Sequence, residues 1–437
     1  MPKINKDKQL FTVGRVFFLL IVIPLSLMAL LIANGIIKVG DTARERTVTI
    51  LDQKSQEEIK VRAVNVADEV ADFLKDREKD LLIATILPAT DATYKEFVVK
   101  SKNPLWVKKD GKIQKIYEPL YKEMAFVDKS GQERIKVVDG KIANASQLIN
   151  VSNPAATPLK EDYFTKAKAY GKGDLYISPV KGLYVNKTEF EKGKRFSGII
   201  RMATPVFDQQ GFAGVVTLAL DVRHLAKFTD NIVPTQSGYV VEAEAASGNY
   251  TFMVDNRGFI LSHPNDYHIA GQYADGTPVP AITDKTSAES MAQKGEEVLN
   301  LNQIGFMDPT LQSIAREAAD GRAGMKEYQF AGRKEFVAYA PIKFYSTDYP
   351  KPAGFGWVGM NVDVVKFSAY ASATAKKIQS EAKSWITTIM TIIIISVILL
   401  FLIMAILVRG ITRSIEAEIP LEAQEASKFY DDEDDDK

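Results

Sequence analysis

The chain has 437 residues, with 55 Lys+Arg against 55 Asp+Glu, three His and no Cys. Without cysteine there are no disulfides, thiolate metal sites, cysteine-held iron–sulfur clusters or Cys nucleophile. Zero net charge gives none of the basic field that a nucleic-acid binder needs, and a length of 437 residues allows about two to four folded units.

Two segments stand far above the average hydropathy. Val16–Ile37 carries no charge, and neither does Ser384–Val408. Each exceeds the roughly 20 residues that cross a hydrocarbon core. The first is longer than a signal-peptide core and is followed by no clear small-x-small cleavage site, so it reads as an uncleaved span. Trp385 at the start of the second, and Arg409 and Arg413 just past its end, stand where interface anchors belong. Lys3, Lys6, Lys8 and Arg15 before the first span, with Arg409 and Arg413 after the second, predict both termini in the cytoplasm. Lys38, Arg44 and Arg46 argue the other way, but a long translocated region overrides such charges. The expected topology is a two-span protein of the cytoplasmic (inner) membrane. Residues 38–383 lie outside it, and residues 1–15 and 409–437 inside.

From Thr42 to Leu87 there is no Pro or Gly, and Ile59, Ala63, Val66, Val70, Phe73 and Leu74 recur at three- and four-residue steps. That period predicts an amphipathic stalk helix over 38–88, roughly 70 Å long, closed by Pro88. The pattern then changes to strands and turns. Met124–Asp128 and Glu133–Val138 flank the turn Lys129-Ser-Gly131, and Gly198–Phe207 and Phe212–Asp221 flank Asp208-Gln-Gln-Gly211. Glu161–Tyr170 reads as a short helix, and Gly171–Arg195 as a loop. A second unit repeats the theme: Tyr250–Asp255, the turn Asn256-Arg-Gly258, and Phe259–Pro264. Pro309–Ala319 is a helix with Asp308 as N-cap, and Lys326–Phe330, Glu335–Ile342 and Gly356–Val362 are strands. The phrases Phe126–Gly131 and Met253–Gly258 echo one another, each with an Asp that closes its turn and a Gly that supplies positive φ. The fold class is therefore α+β. Two tandem antiparallel-sheet domains cover 89–232 and 233–363, and a helix over 364–383 leads into the second span.

This ordered set resembles the double-Cache (tandem PAS-like) extracytoplasmic sensor region of bacterial receptors. The residues that carry the likeness are the stalk helix, Arg201–Val222 (RMATPVFDQQGFAGVVTLALDV) and Met253–Pro264 (MVDNRGFILSHP). The resemblance implies the input half of a chemoreceptor, sensor kinase or cyclic-dinucleotide enzyme, with a small ligand in the membrane-distal domain. It also implies an output module after the second span. Arg409–Ile415 is similar to the start of a HAMP linker, with Ser414 where a Pro is usual and Pro420 further on. The acidic run Asp431–Asp436 reads as a solvated tail. The expected partners are a small solute, the membrane, a second copy paired along the stalk, and a separate cytoplasmic signalling partner.

In amino-acid-binding members of that family, the distal domain carries Arg-x-Trp-Tyr on its short helix, an aromatic–Asp pair on the next loop and an Asp closing a late strand. The Arg forks onto the ligand carboxylate, and the aromatics and Asp hold its ammonium. Here Tyr163 and Phe164 keep the aromatic pair, Glu161 stands at the Arg position, Ser178–Gly182 carries neither aromatic nor Asp, and Asp221 matches the strand Asp. Lys160, Lys181 or Arg201 can supply the missing cation. The candidate ligand-binding set is Glu161, Tyr163, Phe164, Tyr176, Ser178, Arg201 and Asp221, and it suits a cationic or uncharged ligand at least as well as an amino acid. Each residue has a plainer alternative: core packing for the aromatics, a local cap or pair for Asp221, a structural ion pair for Arg201. Asp128 and Asp255 read as turn residues, and His263 as a turn or core histidine; His263 and His268 at i, i+5 with no third ligand make a poor zinc site. No catalytic motif is present, so neither an enzyme nor a cofactor is expected. The rival expectation is a membrane-anchored adaptor whose domains bind protein.

Overall fold

The computed structural model describes residues 6–109, 112–236, 240, 243–330 and 332–418. Lys3, Pro420 and the acidic run 431–436 lie outside the described residues. The chain forms two compact units, Met1–Asp52 with Ala369–Lys437, and Gln53–Ser368.

The first unit is built from the outer lengths of two helices, α1 (Lys6–Ile86) and α8 (Val364–Glu418). Leu19–Arg46 and Ala373–Leu407 are long and apolar enough to cross a membrane. Leu20, Leu30, Leu31, Ile395, Ile398 and Phe401 are all more than half exposed. A continuous apolar surface of this kind suits lipid and not water. Small residues let the helices approach: a Cβ on Gly40 would lie 3.0 Å from that of Ala382.

In the second unit the inner length of α1 buries Ile59, Ala63, Val66, Val70, Phe73 and Leu74, the predicted stripe, and continues it through Leu81 and Ala84. The helix stops at Ile86, before Pro88. Next come α2 (Asp91–Lys100), capped by Thr90, and the hairpin β1 (Lys102–Lys109) and β2 (Lys112–Pro119). A first sheet then takes β3 (Tyr121–Asp128), β4 (Glu133–Val138), β5 (Lys141–Ile142), β6 (Tyr176–Ile177), β7 (Lys181–Gly182), β8 (Gly198–Asp208) and β9 (Gly211–Asp221). Its order is β5-β4-β3-β9-β8-β6, with β7 also on β8, and every pairing is antiparallel. Helices α3 (Tyr163–Lys168) and α4 (Lys187–Glu191) fall between its strands, and α5 (Arg223–Asp230) follows it.

A second antiparallel sheet takes β10 (Tyr250–Asp255), β11 (Ile260–Ser262), β12 (Gly324–Phe330), β13 (Arg333–Ile342) and β14 (Gly356–Asp363), in the order β11-β10-β14-β13-β12. Between β11 and β12 lie α6 (Ala288–Lys294) and α7 (Pro309–Ala319). Helix α7 has the predicted bounds, with Asp308 accepting from Thr310 N.

The strands stand where alternation placed them, and the architecture is α+β. The differences concern short elements. Residues 171–195, read as a loop, contain β6, β7 and α4. The stretch between Pro88 and Met124 holds α2 and the β1–β2 hairpin, neither of which was expected.

The echo between the two sheets is structural. Asp128 Oδ1 accepts from Ser130 N and Gln132 N, and Asp255 Oδ1 accepts from Arg257 N and Phe259 N. Opposite each Asp in the ladder stands a glycine, Gly214 and Gly356. A Cβ on either would collide with a carbonyl of the neighbouring strand, Val127 O or Val254 O.

Candidate ligand site on the first sheet

The phase of β9 decides what each face of the first sheet carries. Val216, Leu218 and Leu220 point to the core shared with α1, together with Met124, Ile200 and Met202. The alternate residues Val215, Thr217, Ala219 and Asp221 face α3. By register they share that face with Glu123, Ala125 and Val127 on β3, Arg201 and Ala203 on β8, and Tyr176 on β6. Three alanines and a threonine leave the middle of this face shallow, and a charged cluster fills it.

Arg201 is 4% exposed and Glu161 6%. Arg201 Nε and Nη2 donate to Glu161 Oε1 and Oε2 at 2.7 and 3.0 Å, a two-pronged pair. Arg201 Nη1 donates to Glu123 Oε1 at 2.5 Å, and its guanidinium carbon sits 4.7 Å from the Tyr163 ring centroid. Lys136 joins from β4, 3.6 Å from Glu123 and 2.8 Å from Glu133, whose other oxygen accepts from Ile149 N. Two cations therefore face three carboxylates. Burial pushes the Glu123 carboxyl up, but Arg201 and Lys136 outweigh it and hold it below the usual range. Burial disfavours the Arg201 cation, yet the attraction of Glu123 and Glu161 holds its proton more tightly than usual. The Tyr163 hydroxyl is pushed up by burial.

Of the sequence-predicted residues, Glu161, Tyr163 and Arg201 meet in this cluster. Phe164 packs beside them with Val127, Ala167, Tyr176 and Ala203. Tyr176 OH donates to Asp162 Oδ1 at 2.7 Å. Ser178 brackets the Arg201 backbone: its N donates to Arg201 O at 2.8 Å, and its Oγ accepts from Arg201 N at 2.9 Å. Asp221 stands apart. It lies on the same face, two residues from Ala219, the ladder partner of Arg201, but its carboxylate accepts from Arg223 N, Nε and Nη2. Of the three candidate cations, Arg201 is the one in this cluster, paired with Glu161 and Glu123, while Lys181 is half-buried and burial lowers its proton affinity. Glu123, Glu133, Lys136 and Thr217 escaped the sequence reading. An available signal was the phase of β3, which puts Glu123 on the same side as Ala125 and Val127.

His263 and His268 hold no metal geometry: their rings meet edge to face at 5.0 Å, and His263 Nδ1 accepts from Asn265 N at 2.9 Å. Among the described residues no group of three His or carboxylates is placed to hold a metal.

A five-stranded antiparallel sheet in the order 2-1-5-4-3, preceded by a larger antiparallel sheet and a long helix, defines a tandem PAS-like fold. A family profile described as Cache domain (dCache_1) matches residues 46–358, and the chain belongs to that family. Among solved structures it is similar to the extracellular domain assigned to the histidine kinase vpHK1S-Z8 (15% identity, 75% of this chain and 96% of that one, TM-score 0.42). It is similar also to the ligand-binding domain of the Pseudomonas fluorescens chemoreceptor CtaA in complex with L-leucine (16%, 75% and 99%, 0.38). A third is the ligand-binding domain of the Pseudomonas aeruginosa PAO1 amino acid chemoreceptor PctC in complex with GABA (14%, 68% and 95%, 0.36). No curated protein matches.

Proposed function

We propose that this chain is a two-span receptor of the cytoplasmic membrane. In this reading residues 38–383 lie outside, both termini lie inside, and a small solute is sensed by the first-sheet domain, the membrane-distal one. The observation that carries the reading is the charged cluster on the α3 face. Arg201 is already gripped by Glu161 and Glu123, so it is not a ready anchor for a ligand carboxylate. The surplus carboxylate and the rings of Tyr163, Phe164 and Tyr176 favour a cationic or uncharged solute instead. Binding shifts the packing of the outer domains, and α8 passes that shift to a separate cytoplasmic partner. No catalytic role belongs to this reading.

The test is a thermal-shift screen of the full chain in detergent against amines, polyamines, amino acids and neutral metabolites. A solute at 100 times its Kd adds about 2.7 kcal/mol of stability, and Glu161→Ala should abolish that shift. Carboxylates stabilising the protein while amines do not would refute the cationic preference. A second reading, a membrane-anchored adaptor, draws support from the same cluster being satisfied by its own side chains. It gains if no solute shifts the protein and a protein partner crosslinks to the outer domains.

A further inference from the structure

The two sheets of the second unit clasp each other, and one half of that clasp ends on the candidate site. We propose that Asp348 and Tyr349, on the loop between β13 and β14, are positioning residues for the α3–β6 wall of the site and carry its state to β14. This inference rests on the reading of that site as the sensing one.

The loop spans Lys343–Phe355. Its tip is a tight turn closed by two reciprocal backbone bonds, Ser346 N to Tyr349 O and Tyr349 N to Ser346 O, both 3.1 Å. The turn is anchored by aromatic packing: Tyr349 is 4% exposed, its ring lies 5.0 Å from Phe355, and Phe355 lies 6.4 Å from Phe344. From this platform Asp348 Oδ2 accepts from Ile177 N at 3.0 Å, and Oδ1 accepts from Tyr170 OH at 2.9 Å. Tyr349 OH donates to Ser178 O at 3.2 Å.

These three contacts fall on the walls of the site. Tyr170 follows α3, the helix that carries Tyr163 and Phe164. Ser178 N donates inward to Arg201 O, so strand alternation turns Ile177 N–H outward from the sheet edge. Such an edge donor needs a partner, and Asp348 supplies it from the other sheet. In the opposite direction, Phe355 O accepts from Asn256 N at 3.1 Å, and the next residue begins β14. That strand pairs with both β10 and β13 and is followed directly by α8 at Val364. A displacement of α3 or β6 therefore has a short route to the strand that feeds the second membrane helix, hydrogen-bonded as far as Asp348 and Tyr349 and then carried by the packing of Tyr349 on Phe355.

The other half of the clasp is separate. Gln272 N donates to Gly182 O and Tyr184 N to Gln272 O, each at 2.9 Å, and Phe196 N donates to Asp266 Oδ2. The sheets thus remain docked when Asp348 and Tyr349 are altered, which separates transmission from simple attachment.

The experiment is hydrogen–deuterium exchange on the full chain in detergent, with the site disturbed by Glu161→Gln instead of a ligand. In the otherwise native protein, E161Q should speed exchange in residues 163–178 and also in 333–363. The expected factor is about fivefold, that of one ordinary hydrogen bond. In the Asp348→Ala/Tyr349→Phe background the first effect should persist and the second vanish. Asp348→Asn, which keeps a carbonyl acceptor, should restore part of it. Transmission to 333–363 that survives in the double variant overturns the proposal, as does E161Q leaving 333–363 unchanged. An E161Q protein unaltered even in 163–178 overturns both the proposal and the role of the cluster. If the double variant does not fold, Tyr349→Phe and Asp348→Ala singly give the same comparison. Because no solute is used, the result is independent of the ligand screen.

Discussion

Arg201 has given up its water for Glu161, Glu123 and the face of Tyr163. Arg201→Met should cost about 3–5 kcal/mol in urea denaturation, because two carboxylates stay buried without their cation. Adding Glu161→Met and Glu123→Leu should recover most of that loss, since a buried ion cluster and a packed apolar one are of similar stability. A triple variant no more stable than R201M would show that the cluster does more than balance its own desolvation. Acid acts on the same residues. Glu123 is held below its usual 4.5, so its contribution is complete above that pH and is lost as pH falls through the lowered folded value. All three histidines of the chain act in the same direction. Burial lowers His224 to about 4, His263 well below 6.5, and His268 below it. The unfolded chain therefore takes up protons below about pH 6.5 that the fold refuses, and stability falls as pH drops from there toward 4. His224 and His263 ring resonances that stay neutral at pH 6, a His268 midpoint below 6.5, and a melting temperature that declines from pH 7 to 5 are the expected record. A histidine with a midpoint at or above 6.5 would contradict it.

Strands with an apolar phase were legible from sequence, and so was the stalk, because burial imposes period two on one and three-to-four on the other. Helix α7 was legible to the residue because Asp308 and Pro309 punctuate it. The β1–β2 hairpin was missed although Asp110-Gly111 is a two-residue hairpin signal; both strands are lysine-rich and β2 is largely exposed, so no apolar phase drew attention to them. Strands β6 and β7 were missed because two residues carry no period at all. In the candidate site, Glu161, Tyr163 and Phe164 came from the short-helix motif of the family that the chain resembles, and Arg201 was one of three cations that the sequence left open. Glu123 and Asp348 did not come that way, since each reaches the site by sheet register or from another sheet. The duplicated turn makes a prediction at this scale. Gly214 and Gly356 occupy equivalent ladder positions against Asp128 and Asp255, with no room for a Cβ. Alanine at either should cost more than about 1 kcal/mol, whereas Gly173→Ala, which meets nothing within 4 Å but shares a positive φ of 88°, should cost less. Equal losses in denaturant melts would mean that backbone strain, and not the strand contact, sets the penalty.

The apolar lengths of α1 and α8 bracket the whole of the second unit in sequence, so one topological decision fixes what that unit can meet. Leu19–Arg46 and Ala373–Leu407 leave their leucines and isoleucines uncovered, and lipid is the solvent that removes the cost. In the proposed topology of two crossings both ends share one side, which Lys6, Lys8 and Arg15 predict to be the cytoplasm. The chain has no cysteine, so single cysteines can report their side without background. Lys129→Cys, in the exposed turn after β3, and Lys285→Cys, exposed before α6, should react with a membrane-impermeant maleimide on spheroplasts. Asp7→Cys should react only after lysis. Both groups labelling on intact spheroplasts would mean that the first helix does not cross. The inverse pattern, with the D7C variant alone labelled, would put both sheets in the cytoplasm and remove the extracytoplasmic solute from the proposed function, while leaving the Arg201 cluster and the Asp348 clasp as structural facts in need of another purpose.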